Sequence, residues 1–302
     1  MKSIAELKQI LDSYRWCQIN AHVHTSLCDG KPDMTVENIA AQAIQDGVKL
    51  VILVPHYHKQ RSDESATLYT DTDISIYFTL RQQIDQYHKA DGRVRFLLSA
   101  EVDILDSEGN LCMEDNEELA AALDLITPTM NYHPLLPLRA VDVTNPEGRK
   151  RMYEENLYFP MAEKIGGVSK VLEAIYTTQA NAISKCKYPA MLGHFFAAHS
   201  RSGAYNWFGA QPEHLPIMKE GAQKVLDACR RTGALVDITG IRIPDGDLPG
   251  KRAHDGFLYD FQLWFLEQCQ QAGIGTYPGG DAHNLGLIGG TWFYTDLYGM
   301  DK

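Results

Sequence analysis

The sequence predicts an α/β fold in which seven βα units close into a single parallel barrel. Three observations lead there. Short β-branched or apolar runs alternate along the chain with longer amphipathic segments. Several of those segments stop at the glycine expected just past a helix C-terminus. The length, 302 residues, is one at which α/β barrels commonly form one domain, so residues 1–302 are taken as a unit.

The elements follow in order. "MKSIAELKQILDSYRW" mixes charges into a helical pattern and lacks the apolar block of a signal peptide. The candidate strands are "CQINAH" (17–22), "LVILVP" (50–55), "VRFLLSAEV" (94–102), "LDLIT" (123–127), "AMLGH" (190–194), "ALVDITG" (234–240) and "IGTYPG" (274–279). Between them lie the amphipathic stretches "TVENIAAQAIQDG", "SIYFTLRQQIDQYHKADG", "VSKVLEAIYTTQANAISK", "HLPIMKEGAQKVLDACRRTG" and "GFLYDFQLWFLEQCQQAG". The region from about 134 to 167 breaks the pattern, being rich in proline, charge and aromatics without a clean period. A connection that long inside a compact domain reads as a partly helical excursion over the mouth of a site.

Composition narrows the function. A hydrophobic fraction of 44% and a charged fraction of 22% are those of an ordinary globular protein, and no long uncharged apolar segment is present. The six cysteines include no C-x-x-C pair, so neither a zinc ribbon nor a disulfide framework is indicated and a cytoplasmic location is expected. A net charge of -11 disfavours nucleic acid and anionic membranes as partners, which leaves a small molecule.

In parallel barrels the functional groups gather where strands end and βα loops begin. The first strand is followed by His22, His24 and Asp29, the second by His56 and then His58. The third ends at Glu101 with Asp103 beyond, and His133 follows the fourth. The fifth ends at His194, the sixth carries Asp237, and the seventh opens into "GGDAHN" with Asp281 and His283. An isolated His-x-His is also what a surface strand presents. With His58 left ambiguous, six of the eleven histidines stand at strand exits, a pattern that a surface strand does not explain.

The motifs "HVHTSLCDG", "VILVPHYH", "LLSAEVDIL", "LITPTMNYH", "MLGHFF" and "GGDAHN" span residues 20–284 and together resemble the PHP (polymerase and histidinol phosphatase) superfamily of metal-dependent phosphoesterases. The resemblance implies a distorted TIM-like (β/α)7 barrel holding up to three divalent metal ions, commonly zinc, manganese or iron. It implies one metal on His22, His24, Glu101 and Asp281, a second bridged by Glu101 to His133 and His194, and a third between Asp29, His56 and His283. Glu101, Asp281 and His283 are then the candidate catalytic residues. Cys28 adds a soft donor beside Asp29, and Val54-Pro55 stand where the family often has Thr-Asp. "VDIT" replaces a frequent Glu-x-Asn, so whether Asp237 and Thr239 ligate is left open.

Imidazole suits zinc, manganese and iron, and a mixed nitrogen and oxygen set leaves positions for water and substrate. A bound metal brings the pKa of water from about 15.7 towards about 7, and paired metals can clamp attacking and leaving oxygens, which fits attack of hydroxide at phosphorus. Three carboxylates against three divalent ions leave a local charge of about +3, suited to an anionic substrate. Arg242 beyond the sixth strand, with Arg201 and His199 after the fifth, are the candidates for binding phosphate.

The expected function is therefore hydrolysis of a small phosphate monoester. An amidohydrolase-type barrel also begins with His-x-His but needs a lysine or glutamate on the fourth strand that "LDLIT" lacks. A nuclease acting on nucleic-acid ends fits the acidic balance poorly, and a non-catalytic metal-stabilised binding module fits poorly with an intact ligand set.

Overall fold

The computed structural model describes residues 1–58, 72–113, 116–130, 163–193, 195–196, 210–238 and 256–289. Helix α1 (Ile4–Leu11) opens on a capping box: the Ser3 hydroxyl accepts from the Glu6 N–H at 3.3 Å, and the Glu6 carboxylate accepts from the Ser3 N–H at 2.7 Å. Strand β1 (Ile19–Val23) follows, then α2 (Val36–Asp46), β2 (Leu50–Leu53), β3 (His56–Tyr57), α3 (Ser75–Ala90), β4 (Arg95–Leu98) and β5 (Glu101–Asp103). The remaining elements are α4 (Glu117–Ala122), β6 (Thr127–Thr129), α5 (Val168–Lys185), β7 (Met191–Leu192), α6 (Leu215–Thr232), β8 (Leu235–Asp237), α7 (Gly256–Ala272) and β9 (Thr276–Tyr277). Helices α2 and α6 end at Gly47 (φ 78°) and Gly233 (φ 77°), left-handed positions that a side chain would strain.

This is a mixed α/β fold, and every strand pairing within its three sheets, β1-β2-β4, β3-β5-β6 and β7-β8-β9, is parallel. Isolated parallel bridges join Ile126 to Ala190 and Val23 to Ala282. Near them the Met191 N–H donates to the Ile126 carbonyl at 2.9 Å, and the Ala21 N–H to the Pro278 carbonyl at 2.8 Å.

Beyond shifted or shortened ends, three strands differ from the sequence reading. The run at 50–55 is interrupted at Pro55, which has no N–H to give a ladder, and pairing resumes at His56. The run at 94–102 divides into β4 and β5 around Ser99 and Ala100. The fourth strand begins only at Thr127, where the sequence reading ended it. Asp124 holds the preceding segment with its side chain, accepting from the Leu98 N–H at 2.9 Å and from Arg81 at 2.7 Å. Helix α4, at six residues, is too short to show a period and was not expected from the sequence. Most of the irregular excursion expected at 134–167, residues 134–162, lies outside the described residues.

Two apolar clusters organise the packing. The larger joins the helices to the sheets. The smaller draws Ile19 and Ala21 from β1, Leu50 and Ile52 from β2, Leu97 from β4, Met191 from β7, Leu235 from β8 and Tyr277 from β9, with Leu7 and Leu11 of α1 closing one end. Burying each such leucine is worth about 1.5–3 kcal/mol. Strand β1 contains a register shift between Asn20 and Val23. Before it, Ile19 and Ala21 belong to the smaller cluster; after it, Val23 belongs to the larger. The bulge inverts the alternation, so that His22 and His24 continue the face on which Ile19 and Ala21 began.

Among the described residues no helix is long and apolar enough to cross a membrane.

Candidate metal centre

Three backbone devices bring the donors together. The parallel register makes His56 the partner of Glu101. The loop after β1 folds back on itself: the Cys28 and Gly30 N–H groups both donate to the Thr25 carbonyl at 3.0 Å. A Cβ on Gly30 would sit 2.8 Å from the Thr25 carbonyl carbon, so only glycine permits the turn that carries Asp29 inward. The third device lies after β9, where Ala282 donates to the His22 carbonyl at 3.1 Å and the His24 N–H donates to the Ala282 carbonyl at 2.9 Å. Asp281 there has φ 46°, the one left-handed non-glycine position among the described residues. Strain of this kind persists where surrounding contacts over-determine the backbone, often at functional sites.

Buried Asn20 supplies some of those contacts. Its Oδ1 accepts from the Gly280 N–H at 2.9 Å and the His22 N–H at 3.2 Å, while its Nδ2 donates to the Ile288 carbonyl at 2.8 Å. Sequence reasoning missed it. The available signal was a polar residue inside an apolar run, which must find buried partners.

The donors converge on Glu101, itself fully buried. Its Oε2 lies 3.3 Å from His22 Nε2, 3.4 Å from His24 Nε2 and 3.3 Å from His56 Nδ1. His24 stands between two carboxylates, with Nδ1 2.9 Å from Asp29 Oδ1 and Nε2 3.2 Å from Asp281 Oδ1. Asp29 Oδ2 also lies 3.1 Å from His56 Nε2 and 2.8 Å from His283 Nε2. The rings of His24 and His283 stack with centroids 4.0 Å apart.

Two groups have donor atoms within 4.8 Å of one another, close enough to hold an ion: His24, Asp29, His56 and His283, and His22, His24 and Asp281. Both ring nitrogens of fully buried His24 lack a hydrogen bond despite the nearby carboxylates, because the approach angles are wrong for one. Zinc bonds of about 2.0–2.2 Å would set neighbouring donors about 3–3.5 Å apart, and most of the separations around Glu101, Asp29 and Asp281 fall in that interval. The residues present therefore fit a divalent metal.

The electrostatics show how tightly the charges are coupled. Burial pushes His22 down, but hydrogen bonds to Asp237 and Glu101 reverse this and hold it well above the ordinary histidine value. For His24, burial is likewise outweighed by Asp281 and Asp29. Burial raises Asp29, yet contacts with His24, His283 and His56 hold it far below the usual carboxylate range. Burial, then the Asp29 charge, pushes the Cys28 thiol up to about 12, and Cys28 belongs to neither donor group.

His58, ambiguous in sequence, hydrogen-bonds Asp103 through Nδ1 and stacks on His56 at 4.7 Å, outside both donor groups. Asp237 does not join the donors either. It meets His22 Nδ1 at 2.7 Å. His133, His194, His199, Arg201, Thr239 and Arg242 lie outside the described residues.

No family model matches the chain, and no curated protein matches it. Solved structures do. A protein described as a candidate histidinol phosphatase from Listeria monocytogenes aligns with TM-score 0.60 and 14% identity over 90% of this chain and 97% of its own. Histidinol phosphate phosphatase from Lactococcus lactis, solved with zinc, L-histidinol and phosphate, aligns with TM-score 0.57 and 11% identity over 93% of this chain and 92% of its own. At these identities the likeness is one of fold.

Proposed function

We propose that this chain is a metal-dependent phosphoesterase that hydrolyses a small phosphate monoester, similar in activity to histidinol phosphatase. The observation that carries the reading is the convergence of His22, His24 and His56 on one oxygen of Glu101, within 3.4 Å. The fold likeness to two histidinol phosphatase structures supports it, one of them solved with zinc, L-histidinol and phosphate. We take the seven strand runs to close into one distorted barrel and one domain. The bridges Ile126 to Ala190 and Val23 to Ala282, and the small cluster shared by strands of the β1-β2-β4 and β7-β8-β9 sheets, favour closure.

In this reading His22, His24, Glu101 and Asp281 would hold one ion, Asp29, His56 and His283 another, and Glu101 with His133 and His194 a third. Zinc, manganese or iron would lower the pKa of water and draw negative charge from the phosphoryl oxygens. Glu101, Asp281 and His283 fix the donor geometry on which that chemistry depends. Arg242, with Arg201 and His199, holds the substrate phosphate, Arg242 by a bidentate contact. The six cysteines are free thiols, which accords with a cytoplasmic protein.

The test is turnover of p-nitrophenyl phosphate and histidinol phosphate by the full chain, stripped of metal and then reloaded with zinc, manganese or iron(II). Metal-dependent turnover, abolished by chelator, is the expected result. Absent turnover would assign the chain to the binding-module class instead, and chelator-insensitive turnover would refute the metal dependence.

A further inference from the structure

We infer that Asp237 is the positioning residue of the centre: it locks the His22 ring so that Nδ1 is occupied by the carboxylate and Nε2 is left to face the ion. The inference rests on reading the cluster as a metal centre, and it gives Asp237, whose ligation the sequence left open, an orienting role.

The geometry is specific. Asp237 ends β8, where it is the register partner of Tyr277 on β9, so its backbone is fixed from the neighbouring strand. His22 is fixed from two sides, its N–H donating to Asn20 and its carbonyl accepting from Ala282. Between these two anchored strands Asp237 Oδ2 and His22 Nδ1 meet at 2.7 Å, both side chains fully buried. The opposite ring nitrogen, Nε2, lies 3.3 Å from Glu101 Oε2, and His22 belongs to the donor group with His24 and Asp281. Asp237 and Glu101 both stand outside the two donor groups, but Glu101 meets the imidazoles of His22, His24 and His56 within 3.4 Å.

Burying a carboxylate this completely is costly unless it is paired. A strand residue two positions on from Leu235, on the face of the smaller apolar cluster, would otherwise be expected to be apolar. A carboxylate that accepts from the far nitrogen of a ligating imidazole fixes the ring's tautomer and orientation and strengthens its donor nitrogen. Losing such a partner typically costs about 10–100-fold in metal affinity.

The experiment measures zinc affinity by competition with a chromophoric chelator, in the full chain without substrate. Asp237→Asn keeps the shape and should weaken zinc binding by about 10–100-fold. In a His22→Ala background the same change should cost nothing further, because Asp237 acts through His22. Histidine 15N spectra of the zinc-loaded wild type give a readout that does not need Asp237→Asn to fold: the His22 signal, identified by its loss in His22→Ala, should carry its proton on Nδ1. Wild-type protein that binds no zinc, manganese or iron would refute the metal reading. Wild type that binds zinc while Asp237→Asn binds it equally well, or a His22 proton found on Nε2, would overturn the positioning role and leave the metal reading standing. A further tenfold loss in the double variant would also overturn it, since Asp237 would then act independently of His22.

Discussion

His56 and Glu101 are register partners on the parallel pair β3–β5, and the pairing brings His56 Nδ1 to 3.3 Å from Glu101 Oε2. Ordinarily successive strand residues point to opposite faces, so a cross-strand partner is the shortest route to a shared site. The next ladder out pairs Glu101 with Thr127, so Glu101 lies on the middle strand, between β3 and β6.

Glu101→Ala should remove the point on which three imidazoles converge and leave them facing one another in a buried space. Metal content, read by plasma emission spectrometry, is expected to fall by at least one ion per chain. Phosphatase turnover should drop about a thousandfold or more, the equivalent of roughly 4 kcal/mol in the barrier. Near-normal metal content would refute the bridging role.

Metal removal should also be visible without substrate. A ligand that binds only the folded chain stabilises it in proportion to its excess over Kd, by about 2.7 kcal/mol at a hundredfold excess. Chelator-treated protein should therefore melt several degrees lower than zinc-loaded protein, and recover when zinc is restored. Identical melting curves would mean that the cluster holds no ion.

How far the centre could be read from the sequence depends on what alternation alone can say. His22 and His24 are legible as one face because they are two residues apart. That this face continues the one holding Ile19 and Ala21 is not legible, because it depends on a bulge that leaves no composition mark. Helices α2, α3, α5, α6 and α7 fall on the amphipathic stretches, since each is long enough for a 3.6-residue period to show. Asp237 was visible as a carboxylate at a strand exit. Only the distance to His22, rather than to an ion's other donors, distinguishes an orienting role from a ligating one.

Away from the centre, Asp124 gives a pH prediction. Burial raises its carboxyl, but the Arg81 charge and hydrogen bond, the Leu98 N–H and Lys2 outweigh this and hold it below its ordinary 3.8. A group whose folded-state pKa is depressed adds stability that is fully present above the unfolded value and is lost as pH falls through the folded one. Asp124→Asn should thus cost about 1–3 kcal/mol in urea unfolding at pH 7, the range for a buried charged hydrogen bond left incomplete. The difference from wild type should hold at pH 6 and shrink below about pH 4. A difference that stays constant down to pH 3 would show that the carboxylate charge contributes nothing.

Asn20 links stability to the centre, because one side chain serves both the His22 backbone and the loop that holds Asp281 at φ 46°. Asn20→Ala leaves the Gly280 N–H and the Ile288 carbonyl without their buried partner, at a cost of about 1–3 kcal/mol for each group left unsatisfied. The loop would then be free to relax Asp281 from its strained backbone, and relaxation moves the carboxylate away from His24 Nε2. Asn20→Ala is therefore expected both to lower the urea midpoint of metal-free protein and to weaken zinc binding, although Asn20 touches no ion. An Asn20→Ala protein that is destabilised but binds zinc as tightly as wild type would show that the Asp281 loop is held by its other contacts, the Ala282 ladder first among them.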